Sequence, residues 1–101
     1  MFDTTKQVSI AGTVTSFEWT NPHAFIYLEV KGEDGKVTTW KLESLSPAGL
    51  IRQGLKVKTD LKIGGVYSYR ISPACKDPEG MKMGFMRSIT VDGKEYVVVE
   101  L

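Results

Sequence analysis

A chain of 101 residues with one cysteine, one histidine, four prolines and a net charge of +1 is short of several kinds of chemistry. Cys75 has no second cysteine to pair with, so a disulfide scaffold is excluded and cysteine count says nothing about compartment. A metal centre needs three or four ligands, and His23, Glu18, Glu43, Cys75 and Asp77 show no ligand spacing. No metal and no cofactor are expected. No apolar run approaches the roughly 18 residues that a spanning helix requires, so membrane insertion is not expected. Acids and bases are interspersed, which leaves no broad field to draw the chain to phosphate backbones, and nucleic acid is disfavoured as a partner. Nucleophile motifs, phosphate loops and dinucleotide fingerprints are also missing. What remains is ordinary globular composition, 42% hydrophobic and 25% charged, in one domain over residues 1–101.

The first half reads as strands. Val8, Ile10 and Val14 alternate around Gly12, and Phe17 and Trp19 then carry apolar character at the opposite parity. That one-residue shift predicts a β-bulge near Thr15-Ser16. Further on, Ile26, Leu28 and Val30 share one face and Phe25, Tyr27 and Glu29 the other. Gly32-Glu33-Asp34-Gly35 is a hairpin turn, and its return strand sets Trp40 and Leu42 opposite to Thr39, Lys41 and Glu43. Ile26, Leu28, Trp40 and Leu42 are the expected buried face.

Ser46 is a good N-cap, Pro47 suits the first helical position and Gly54 a stop, which predicts one short helix over 46–54. A tyrosine-rich strand follows over 66–71, then a loop over 72–80, a strand over 84–91, the turn Asp92-Gly93 and a closing strand over 96–101. Curled strands of this kind solve the edge problem by closing up. The fold class is therefore all-β with one short helix, a small antiparallel β-barrel. A single helix between the third and fourth strands is OB-fold-like order.

Trp19-Thr20-Asn21-Pro22-His23 carries the most chemistry. Pro22 fixes its own φ and pushes Asn21 toward extended backbone, so Trp19 and His23 are aimed by a stiff elbow. His23 serves either as an acid, base or ligand contact, or as a structural imidazole ordering the turn. Glu43 either pairs with Arg52 on the helix or, from strand register that sets it level with residue 24 or 25, joins His23 as an acid-base dyad. Cys75 with Met81, Met83 and Met86 suits soft metal ions, and suits apolar packing better. Phe25, Tyr27, Tyr67 and Tyr69 offer stacking surfaces or core.

The run Phe17-Glu18-Trp19-Thr20-Asn21-Pro22-His23, with Ser46-Pro47, Leu61-Lys62, Pro73-Ala74 and Arg87-Ser88-Ile89-Thr90, resembles a known set. It is similar to an uncharacterised domain-of-unknown-function family of small exported bacterial proteins, number six-one-five-two of its series. The resemblance implies a periplasmic or secreted protein whose leader is absent from this chain. It implies no activity. Relatives commonly have Gly-Asp and a run of valines where this chain has Gly64-Gly65 and Val66-Tyr67-Ser68-Tyr69.

Three functions follow as expectations. The first is a small exported protein binding a small apolar or aromatic ligand in a barrel pocket lined by Trp19, His23, Tyr27, Trp40 and Glu43. The second is a cofactor-free isomerase or lyase in which His23 and Glu43 are catalytic. The third is a structural or protein-interaction module, and a homo-oligomer is compatible with each.

Overall fold

In the computed structural model, which describes residues 2–20, 23–56, 59–76 and 81–99, the period-2 runs become six strands and the Ser-Pro pattern becomes one helix. They are β1 (Val8–Glu18), β2 (His23–Lys31), β3 (Val37–Leu45), α1 (Pro47–Arg52), β4 (Val66–Pro73), β5 (Lys82–Val91) and β6 (Lys94–Val97). The sheet runs β3-β2-β1-β4-β5-β6, and a further β3–β5 pairing closes the first five into a barrel. All pairs are antiparallel except the closing one, in which Trp40 to Glu43 run parallel to Lys82 to Phe85. Parallel pairing there is a consequence of topology: β3 and β5 are separated by a helix and a strand, not by a hairpin.

Local chemistry accounts for the corners. The bulge falls between Val14 and Ser16, as the parity shift predicts. There Val14, the ladder partner of Leu28, is also held by the turn before β4, its N–H donating to Gly65 O and its O accepting from Gly64 N–H. Gly64 has φ +84°, a left-handed value that a side chain would strain. Asp92 and Gly93 both have positive φ (50° and 81°), the pair of values a tight two-residue hairpin demands.

Helix α1 is shorter than the predicted 46–54 span because its ends are caps. Ser46 Oγ accepts from Gly49 N–H at 3.2 Å, and Gly54 at φ +95° ends the turn. Ser46→Ala should lower stability by about 1 kcal/mol in urea unfolding, by orphaning that donor. Two other boundaries move. β4 continues to Pro73, so the predicted loop over 72–80 starts later, and the closing strand is Lys94–Val97. Residues 77–80 and 100–101 lie outside the described residues.

Ile26, Leu28 and Leu42 are fully buried, Trp40 is 9% exposed, and all four share the inner face as alternation requires. Val14, Tyr69, Ile71, Met86 and Ile89 fill the rest, with Leu50 and Leu55 from α1 and its exit packed against them. The interior is thus occupied by side chains, as in other narrow barrels. Tyr69 Oη is buried without a hydrogen-bond partner among the described residues. Burial pushes the Tyr69 phenol well above the ordinary tyrosine range, with the neighbouring Tyr67 adding to it.

The unfolded chain therefore loses this proton near pH 10 while the folded chain holds it. Stability from Tyr69 is complete below pH 10 and is lost as pH rises through the raised folded value. The urea midpoint should fall between pH 9 and 11, and Tyr69→Phe should flatten that fall while leaving the unfolding free energy at pH 7 within about 1 kcal/mol of wild type, since the hydroxyl has no bond to lose among the described residues. Among the described residues no helix is long and apolar enough to cross a membrane, which does not bear on β-strand insertion.

Candidate functional site on the outer face of β2, β3 and β5

Alternation that buries Ile26 and Leu42 turns Phe25, Tyr27, Lys41 and Glu43 outward. Pairing then lines up a row across the barrel wall. Glu18 on β1 is level with Phe25 on β2, Phe25 with Glu43 on β3, Glu43 with Phe85 on β5, and Phe85 with Ser72 on β4. Residues directly opposite in a ladder share a face. Charged and aromatic side chains therefore alternate along this row.

At its middle, His23 Nδ1 stands 3.7 Å from Glu43 Oε2. The two form an ion pair when the imidazole is protonated. The gap exceeds hydrogen-bond length, and Nδ1 is buried without a hydrogen-bond partner among the described residues. The rest of the imidazole is open, the side chain being 42% exposed. Thr20 Oγ1 donates to His23 O at 2.6 Å and fixes the backbone where β2 begins. Lys41 Nζ lies 4.4 Å from the Phe25 ring centroid and 5.5 Å from that of Tyr27, and Tyr27 Oη donates to Glu18 Oε2 at 3.0 Å. The cation and the phenol are each satisfied within the row.

Beside the pair the surface becomes apolar. The Phe85 ring sits edge-on to His23 (centroids 6.4 Å apart, 76°) and edge-on to Phe2 (5.6 Å, 66°). Phe2, Thr4, Phe85 and Val99 line a half-open cleft of about 160 Å³. The chain's two ends shape it. Phe2 bridges to Ala74 and Asp3 N–H donates to Pro73 O, while Val98 and Val99 N–H both donate to Arg87 O. Asp3 accepts from the Thr5 side chain and main chain, which holds its carboxyl below the usual range and ties the N-terminal turn.

The residues predicted to share one pocket separate. His23 and Glu43 come together, and Tyr27 lies further along the same outer face. Trp40 does not belong with them: it points into the barrel, with Lys82 Nζ 5.6 Å from its ring centroid. Trp40 and Leu42 share a parity, and Glu43 necessarily has the other one. Trp19 is 40% exposed and stacks on Phe17 at 4.8 Å. The predicted elbow at Asn21-Pro22 lies outside the described residues.

The soft-ligand cluster also divides. Met86 is fully buried in the core while Cys75 is free and exposed, and Asp77 lies outside the described residues. Among the described residues no three His, Cys, Asp or Glu side chains are grouped to hold a metal ion. Tyr69 is core, and Tyr67 is half-buried with its Oη engaged by Lys62 N–H and Asp60 O. Phe2, Thr4, Phe85 and Val99 escaped sequence reasoning as a group. The one available signal was Phe85, an outward aromatic at opposite parity to the inward Met86.

The model of the family of unknown function (DUF6152) matches residues 1–85, and the chain belongs to that family. No curated protein matches the chain.

Proposed function

We propose that this member of a family without an assigned activity binds a small apolar or aromatic molecule. The cleft between Phe2, Thr4, Phe85 and Val99 takes it, not the barrel interior. The observation that carries this reading is the cleft's size and lining. An apolar cavity of about 150 Å³ holds one benzene-sized ring, and this one is about 160 Å³. Five strands closed by β3–β5, with α1 between β3 and β4, support an OB-fold assignment, and such folds bind ligands on the β2–β3 face and adjoining loops. Placement outside the cytoplasm rests on the export that the family resemblance implies.

The test is a titration of the ¹⁵N-labelled protein with toluene and p-cresol. Saturable amide shifts should centre on Phe2, Thr4, Phe85 and Val99, and Phe85→Ala should weaken binding at least tenfold by removing one wall. If neither compound moves those amides, the binding reading fails.

His23 and Glu43 favour a second reading, a cofactor-free enzyme that moves a proton. Their approach to 3.7 Å beside the cleft is the observation behind it. Acetophenone supplies a ring with exchangeable α-protons, so its deuterium uptake in D₂O should exceed the buffer rate and return to it in His23→Gln. That variant should stay folded, because the side chain is partly exposed and substitutions of this kind usually shift stability by less than about 0.5 kcal/mol. A wild-type rate equal to buffer removes the enzymatic reading and leaves the binding one.

A further inference from the structure

Glu43 stands outside the four residues that line the cleft, but next to one of them. It is the ladder partner of Phe85, so the two side chains leave the outer face side by side on strands about 4.8 Å apart. His23 faces both, with Nδ1 3.7 Å from Glu43 Oε2 and its ring edge-on to Phe85 at 6.4 Å. On its other side Glu43 is level with Phe25. The Glu43 side chain is 25% exposed, so a molecule seated against Phe85 can reach it from solvent. Among the described residues it makes no hydrogen bond and has no charged neighbour at ion-pair distance besides His23. Lys41, on the same strand and face, is turned instead to Phe25 and to its own ladder partner Tyr27. Rings of this face thus already hold one ammonium, and Glu43 is left open to another.

We propose that the site takes an arylalkylamine, with its ring in the cleft against Phe85 and its ammonium on the Glu43 carboxylate. This rests on the binding function above and names its ligand class. The cleft is half-open and lined by Phe2, Thr4, Phe85 and Val99, so it takes the ring and lets a short alkyl arm leave over Phe85. The arm then ends at the neighbouring strand, where Glu43 stands. An ammonium donates a charge-assisted hydrogen bond to a carboxylate, and the Phe25 and Phe85 rings flanking Glu43 attract a cation as well. A hydroxyl at the same place gains only a neutral donor's hydrogen bond, and a carboxylate meets a like charge.

The experiment titrates the full ¹⁵N-labelled chain at low salt with phenethylamine, 2-phenylethanol and 3-phenylpropanoate. These share a ring and a two-carbon arm and differ in the terminal group. The amine should bind about threefold to tenfold more tightly than the alcohol, the range for an ammonium–carboxylate pair that stays partly exposed, and the acid more weakly than the alcohol. At about 1 M salt, where the screening length is about 3 Å, the amine's advantage should shrink. Amide shifts with the amine should include Phe25 and Glu43 besides the four cleft residues, a check that depends on no variant.

Glu43→Gln should bring the amine and the alcohol to equal affinity. Glu29→Gln makes the same charge change at an exposed position further along β2 and should keep the preference. Phenylalaninamide carries the same ammonium at the start of a peptide chain. Binding as tight as that of phenethylamine identifies the amine as a peptide N-terminus, and weaker binding identifies it as a free small molecule. Equal affinity of wild type for amine and alcohol, with toluene still bound in the cleft, overturns the amine assignment and leaves the binding function standing. Absence of binding by every compound, toluene included, overturns both. A preference that survives Glu43→Gln, or disappears in Glu29→Gln, removes Glu43 from the site and overturns the assignment.

Discussion

Leu28→Ala should cost about 2–5 kcal/mol in urea unfolding. Leu28 is fully buried, pairs with Trp40 on β3 and with Val14 on β1, and so joins the two neighbouring strands from the inside. Truncation removes the transfer free energy of three carbons and leaves a cavity that closed strands cannot collapse to fill. A domain of this size has only about 5–15 kcal/mol in all, so the variant loses a large share of its stability. A loss below about 1 kcal/mol would mean that the strand faces are reversed.

Gly12→Ala should also be damaging, at about 1–3 kcal/mol. A Cβ at position 12 would stand 2.6 Å from Glu29 O and 2.7 Å from Leu28 Cδ1. Because Glu29 O is main chain, relief requires the β1–β2 ladder itself to move. The usual gain from a stiffer unfolded chain, about 0.4–1 kcal/mol, is too small to offset it. Since Leu28 Cδ1 is one of the three contacts, with Glu29 O and Val30 Cγ2, the two changes are coupled. Gly12→Ala in a Leu28→Ala background should cost at least about 0.5 kcal/mol less than in wild type, measured as a double-mutant cycle. Strict additivity would place the clash on Glu29 O and Val30 Cγ2 and not on Leu28.

These two residues show where local signals suffice. Gly12 and Leu28 sit in runs whose alternation named the buried face, and the face was right for Ile26, Leu28, Trp40 and Leu42. Asp92-Gly93, the Ser46 cap and the bulge after Val14 are written in a few adjacent residues each, because turn, cap and bulge are decided by the dihedral preferences and short hydrogen bonds of neighbours. The closeness of His23 to Glu43 was also legible, since the β2–β3 hairpin register extends outward from its own turn.

The pocket was not legible, and the misplaced Trp40 shows why. Aromatic content named it as a ligand contact, while its parity placed it in the core, and parity prevailed because a closed barrel has one inside. The sequence by itself determined the strands, their inner and outer faces, the corners and the single capped helix, all set by interactions within a hairpin or a turn. Only the tertiary structure decided that β3 closes on β5, that Glu43 meets Phe85, and that Phe2 and Val99 from opposite ends of the chain share a cleft with Phe85. Those contacts join residues separated by tens of positions, and no local dihedral preference or alternation records which distant strand completes the ring.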